Sequence, residues 1–178
     1  MAYETVESKI TYSGAIIDVK QDLIRLPNGK NAKREIVLRG EAAGVLPVLE
    51  DGSVVLIKQY RHSVEGFVLE IPAGMLDSKN EEPRSCAIRE LEEETGYKAE
   101  KIEPLFKMHS SIGFCTEAIY IYLASGLTKG ETDFDEEEFI ETVKIPLNEA
   151  IEKIHSGEIT DSKTIAALFA HKSNLSKR

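Results

Sequence analysis

The sequence predicts an α/β domain with an added β element at its N-terminus, on three observations. Apolar runs with period-two alternation recur along the chain, and two pairs of them are joined by the hairpin signals Asn28-Gly29 and Asp51-Gly52. A strand-like run, Gly66 to Ala73, leads through a short turn into a helix crowded with carboxylates. Two more helical stretches close the chain, and no internal repeat or low-complexity linker interrupts it. With 178 residues, 42% apolar and 30% charged, the chain suits one domain with a good core.

Taken in order, residues 15–26 and 32–39 are expected as strands around the Pro27-Asn28-Gly29-Lys30 turn. Residues 44–49 and 53–60 form a second expected pair, in which Pro47 marks an edge or a bulge. Residues 66–73 are expected as one strand ending in a turn. The helix from about Glu82 to Thr95 has Pro83 in its first turn and Gly96 as a left-handed stop. Residues 98–108 and 118–124 are expected as strands flanking an exposed loop, 109–117, which is a good place for binding residues. Another strand, 139–145, follows the acidic stretch Asp135 to Glu138. Residues 147–155 then form a helix stopped by Gly157, and Asp161 caps a last helix reaching about His171.

The net charge of −9 opposes nonspecific binding to nucleic acid. No apolar run approaches the length of a membrane span, and the first residues lack the charged and apolar regions of a signal peptide. A cytoplasmic protein with no membrane partner is expected. Cys86 and Cys115 are spaced neither as a metal clip nor as a disulfide framework and are expected to pack as small apolar residues. The four histidines show no ligand spacing.

The helix from Glu82 carries the chemistry. At about 100° per residue, Glu90, Glu93 and Glu94 share a stripe about a quarter turn from Ala87, Ile88 and Leu91. Carboxylates at i and i+4 near the negative end of a helix oppose its stability by roughly 0.2–0.5 kcal/mol for the pair, so a positive charge is expected beside them. Hard oxygen ligands without His or Cys select Mg²⁺, or Mn²⁺, over Zn²⁺. The competing interpretation is a solvated acidic face.

The stretch Gly74 to Tyr97 resembles the Nudix box: Gly, five residues, Glu, seven residues, Arg-Glu-apolar-x-Glu-Glu-x-Gly-apolar. Arg89-Glu90-Leu91-Glu92-Glu93-Glu94-Thr95-Gly96-Tyr97 matches its second half, and Glu81 lies seven residues before Arg89. The departure is six residues rather than five between Gly74 and Glu81, which places an extra residue in the Asp77–Asn80 turn. Outside the box, Arg34-Glu-Ile-Val, Ile57-Lys-Gln-Tyr-Arg61, Leu69-Glu70-Ile-Pro-Ala-Gly74, Gly113-Phe-Cys-Thr-Glu117 and Asp161-Ser-Lys-Thr are similar to the ADP-ribose pyrophosphatase branch.

That resemblance implies an α/β/α sandwich with a mixed sheet for residues 41–178, and N-terminal strands in residues 1–40 that contact the partner of a homodimer. It implies Mg²⁺-dependent hydrolysis of a nucleoside diphosphate joined to another moiety, with ADP-ribose giving AMP and ribose 5-phosphate. It further implies metal ligation by Glu90, Glu94 and the Ala73 carbonyl, and catalytic roles for Glu93 and for a base at Glu137 or Glu138. Substrate contacts fall to Arg34, Arg61, Glu70, Gly74, Ile112 and Glu117, and Arg89 orients a box carboxylate. The branch usually reads Ser-Pro-Gly-Phe where this chain has Ser111-Ile112-Gly113-Phe114. The isoleucine leaves open a nucleoside diphosphate sugar as substrate, and a non-catalytic ADP-ribose-binding module is the alternative of another class.

Overall fold

The computed structural model describes residues 3–78, 80–130 and 139–177. It divides into two compact units, Met1–Glu41 with His109–Ala118, and Ala42–Met108 with Ile119–Arg178.

The first unit is a three-stranded antiparallel meander of β1 (Glu4–Ser13), β2 (Asp18–Arg25) and β3 (Asn31–Leu38). The turn between β2 and β3 closes with Leu26 N–H donating to the Lys30 carbonyl at 2.8 Å, as Asn-Gly predicts. Strand β1 was not expected, and the physical reason is plain: all ten of its residues are exposed, so no burial pattern marks it. It is held instead by its ladder to β2 and by Ser8 donating to buried Asp22 at 2.6 Å. The loop 109–118 joins this unit through Val37 N–H donating to the Phe114 carbonyl at 2.7 Å and Thr116 N–H donating to the Val37 carbonyl at 3.0 Å.

The second unit holds two sheets. One has the order β10-β5-β6, from Ile140–Pro146, Ser53–Arg61 and Gly66–Glu70. The other has the order β7-β4-β9-β8, from Ala73–Met75, Ala42–Pro47, Ala118–Lys129 and Tyr97–His109. It is mixed, since β4 runs parallel to β9 and antiparallel to β7. Pro47 ends β4 beyond the reach of β7, whose ladder covers Ala42 to Gly44, so its missing donor falls on a locally open edge, while Val48 N–H continues the pairing with β9 by donating to the Ala124 carbonyl at 2.9 Å. Pro104 lies in β8, an edge strand, where a missing donor costs little.

Period-two alternation along the central strands feeds two cores. Ala42, Leu46, Val54, Leu56, Ile119 and Ile121 point one way, packing with Ala150, Ile151, Ala167 and Leu168 of helices α2 (Leu147–His155) and α3 (Ser162–Leu175). Ala43, Val45, Val55, Tyr122 and Ala124 point the other way, against Cys86, Ala87 and Leu91 of α1 (Pro83–Thr95). Both faces are therefore covered, which makes this unit an α/β/α sandwich. Each fully buried Leu, Ile or Val contributes roughly 1.5–3 kcal/mol, so the second core sets the position of α1 and the first those of α2 and α3. No helix among the described residues is long and apolar enough to cross a membrane.

Candidate active site

The expected strand 66–73 is two strands. Pro72 interrupts the ladder, so β6 ends at Glu70 beside β5, and the chain crosses to the other sheet, where β7 begins at Ala73 beside β4. The crossing is pinned: Ile71 N–H donates to Thr164 Oγ1 at 2.8 Å, and Val45 N–H donates to the Pro72 carbonyl at 2.9 Å. Two residues of sequence thus separate a carboxylate on one sheet from the backbone of Ala73 and Gly74 on the other.

Helix α1 starts at Pro83 and ends where Gly96 takes a left-handed conformation, φ 67°, with its N–H on the Glu92 carbonyl at 2.8 Å. Its buried residues are Cys86, Ala87, Glu90, Leu91, Glu94 and Thr95. The carboxylates are therefore in the packed sector, not a quarter turn from it. Glu90 is 8% exposed and Glu94 2%. Strand β7 covers them, with Ala73 N–H donating to Glu94 Oε2 at 2.9 Å. Gly74 makes the close approach possible: a Cβ there would lie 2.0 Å from Glu90 Oε1.

The positive charge that the acidic helix end calls for is Arg89. Its guanidinium donates to Glu90 Oε1 at 2.7 Å, to Glu93 Oε2 at 3.1 Å and to the Met75 carbonyl at 3.1 Å. Asp77 and Glu81 lie 3.5 and 3.6 Å away. Burial works against its charge, but Glu90 and the other neighbours outweigh burial and hold the guanidinium above its ordinary value. Cys86 lies beneath the same turn, packed as a small apolar residue; burial, with the nearby Glu90 charge, pushes its thiol up to about 12. Glu93 is the outlying member of the expected stripe, its side chain 39% exposed and held by Arg89 rather than turned inward.

A second cluster surrounds Glu70, itself 3% exposed. Arg61 grips it with a fork, Nε to Oε1 at 2.7 Å and Nη2 to Oε2 at 3.2 Å, while Lys163 donates to Oε2 from the first turn of α3. Burial opposes the Glu70 charge, yet Arg61 and Lys163 together hold the carboxyl below its ordinary range. Asp161 caps α3, accepting from Thr164 N–H at 2.9 Å and Thr164 Oγ1 at 2.6 Å, and lies 3.1 Å from Lys163. A cavity of about 350 Å³ opens here, lined by Arg61, Ser63, Val68, Glu70, Thr160 and Asp161 among others.

Sequence reasoning named Arg61 and Glu70 but passed over Lys163. Ninety-three positions separate it from Glu70, so no local spacing links them. A signal did exist: a lysine in the first turn of a helix faces the positive end of the helix dipole, an unfavourable place that calls for an anion nearby.

The remaining expected residues are in the first unit or outside the described ones. Arg34, on β3, lines a cavity of about 490 Å³ with Lys33, Gly113 and Phe114. Ile112 is 86% exposed. Glu117 accepts from Arg39 Nε at 2.6 Å. Glu137 and Glu138 lie outside the described residues.

Among the described residues, no three His, Cys, Asp or Glu side chains come together as a metal cage. What is present is a pair of buried carboxylates one helical turn apart, facing the backbone of Ala73 and Gly74. All these donors are hard oxygens, and they fit a hard divalent cation in combination with a backbone carbonyl.

Comparison with known proteins agrees with this geometry. The chain is 41% identical over 167 residues to a methanol dehydrogenase activator of Bacillus methanolicus, covering 93% of this chain and 90% of that one. It is 40% identical over 167 residues to an ADP-ribose pyrophosphatase of Bacillus subtilis (strain 168), with the same coverage of 93% and 90%. A crystal structure of an ADP compounds hydrolase superposes with a TM-score of 0.90 over 99% of this chain and 96% of that one, at 22% identity, a likeness of fold. The NUDIX domain model matches residues 38–168, which include Glu70, the β7 turn and all of α1, and the chain belongs to the Nudix hydrolase family.

Proposed function

We propose that this chain hydrolyses a nucleoside diphosphate joined to another moiety, with ADP-ribose as preferred substrate and AMP and ribose 5-phosphate as products. The reading rests above all on Glu90 and Glu94, two buried carboxylates one turn apart beside Gly74, an arrangement that a binding module would have no reason to keep. The name of the Bacillus subtilis relative supports the substrate.

Nudix hydrolases depend on a divalent cation, here assigned as Mg²⁺ with Mn²⁺ as a substitute, which when bound neutralises diphosphate oxygens and activates water for attack. Glu90, Glu94 and the Ala73 carbonyl would hold it. Arg89 orients the Glu90 carboxylate through its 2.7 Å hydrogen bond, and Gly74 leaves the space that this carboxylate fills. Glu93, at the exposed end of the Arg89 network, is assigned a supporting catalytic role. Arg61 meets a substrate phosphate, and Glu70, fixed by two cations, accepts from a substrate hydroxyl. Glu137 or Glu138 serves as general base. On the first unit Arg34, Ile112 and Glu117 are assigned to substrate recognition.

The exposed strand β1, with Val6, Ile10 and Tyr12 open to solvent, supports a homodimer formed through residues 1–40 of a cytoplasmic enzyme. A second reading, a regulatory module that binds without turnover, is favoured by the name of the Bacillus methanolicus relative. Steady-state kinetics on ADP-ribose, ADP-glucose, GDP-mannose, diadenosine polyphosphates and nucleoside triphosphates separate the two. The highest kcat/KM is expected for ADP-ribose. Preference for another diphosphate sugar would move the substrate assignment, and binding without turnover of any of them would favour the module.

A further inference from the structure

We infer that Lys163 is a positioning residue that sets the charge of the substrate cavity and so determines how tightly the diphosphate is held. The inference deepens the proposed hydrolase reading and rests on it.

Three charged side chains line the cavity of about 350 Å³, Arg61, Glu70 and Asp161, and Lys163 joins them from behind, donating to Glu70 and lying 3.1 Å from Asp161. Two are cations and two are carboxylates, so the cluster is neutral. Without Lys163 it carries a net negative charge, and Arg61 is the cation left on Glu70 among the described residues. Arg61 then serves chiefly to neutralise Glu70, and its pull on an anionic ligand is weakened. With Lys163 in place, the Glu70 charge is shared. The Nε and Nη2 edge of Arg61 stays fixed on the carboxylate while the group as a whole keeps its attraction for phosphate.

Lys163 is well placed for this work. Its side chain is 12% exposed, so its charge is poorly screened by water, and Asp161 holds it from the other side at 3.1 Å. It is one residue from Thr164, whose Oγ1 receives the Ile71 N–H at the crossing between the sheets. The start of α3 is thereby tied to the segment that carries Glu70 at one end and Ala73 at the other.

Three variants test the inference on ADP-ribose with Mg²⁺, each against wild type in parallel. Lys163→Met is expected to raise KM about tenfold while kcat changes less than about threefold, because the charge acts on binding and not on the bond being broken. Lys163→Arg, which keeps the charge, should restore KM to within about threefold of wild type. The double variant Lys163→Met/Asp161→Asn restores a neutral cluster, and asparagine still caps a helix, so its KM should also recover although the lysine contact is gone. A merely structural lysine gives a different pattern: thermal stability falls, KM stays put, and the double variant is worse than the single one. That pattern, in an active wild type, overturns the role of Lys163 alone. A wild type that cleaves no diphosphate overturns the hydrolase reading and this inference with it.

Discussion

Replacing Gly74 with alanine tests the close approach of β7 and α1 directly. A Cβ at this position would lie 2.0 Å from Glu90 Oε1, 2.3 Å from its Cδ and 2.7 Å from its Oε2. An ordinary contact needs about 3.4 Å, so the carboxylate must retreat by about 1.4 Å. It cannot do so freely, because Glu90 is buried and its Oε1 accepts from Arg89 at 2.7 Å. Overpacking of this size costs roughly 1–3 kcal/mol of stability, which a thermal melt would read as a lowered Tm with the fold kept. Activity should suffer more, since a displacement of about 1 Å in a catalytic group lowers rate by about 10²-fold. The assay is kcat/KM for ADP-ribose over a series of Mg²⁺ concentrations, with more metal needed by the variant to reach its own maximum. Full activity at the wild-type metal requirement would refute the placement of Glu90 beside Gly74 as the centre of the site.

Four further outcomes are expected. Glu94→Gln should abolish nearly all turnover while circular dichroism stays that of the wild type, because the amide oxygen can still accept from Ala73 N–H but the charge is gone. Glu70→Gln should lower stability at neutral pH, and the deficit should vanish in acid. The Glu70 carboxyl is held below its ordinary value of 4.5, so the stability it contributes is present above that value and is lost as pH falls through the lowered one; denaturant melts from pH 7 downward check this. Ile112→Pro should alter the preference among substrates while shifting stability by less than about 0.5 kcal/mol, since the side chain is 86% exposed. Of Glu137→Gln and Glu138→Gln, one should lower kcat by roughly 10²–10⁴ and the other should leave it near wild type, as measured at saturating substrate.

Helix α1 could be read from the sequence because its determinants are local: Pro83 at the start, Gly96 at the end, and carboxylates crowded where the helix dipole disfavours them. Helix α2 was readable at both ends for the same kind of reason. What escaped depended on distant partners. Strand β1 buries none of its residues and exists through its ladder to β2. The division of 66–73 at Pro72 appears only when β4 and β5 turn out to lie in different sheets.

The same distinction holds within the site. The spacing of Glu90 and Glu94 was enough to pair them, but not to show that they share the buried sector with Leu91, because that follows from β7 covering them. Glu93 shares the stripe by angle and yet is held by Arg89 in a more exposed position. Lys163 reaches Glu70 only because α3 starts beside the crossing between the sheets.

The most direct test of the account is to incubate the purified protein with ADP-ribose and Mg²⁺ and to separate the products, with a matched reaction in excess chelator. AMP and ribose 5-phosphate in equal amounts, with none formed in chelator, is the predicted result. Product formed undiminished in chelator, or no turnover of ADP-ribose and every other diphosphate offered, would contradict the assignment of Glu90 and Glu94 to a metal-dependent diphosphate hydrolase.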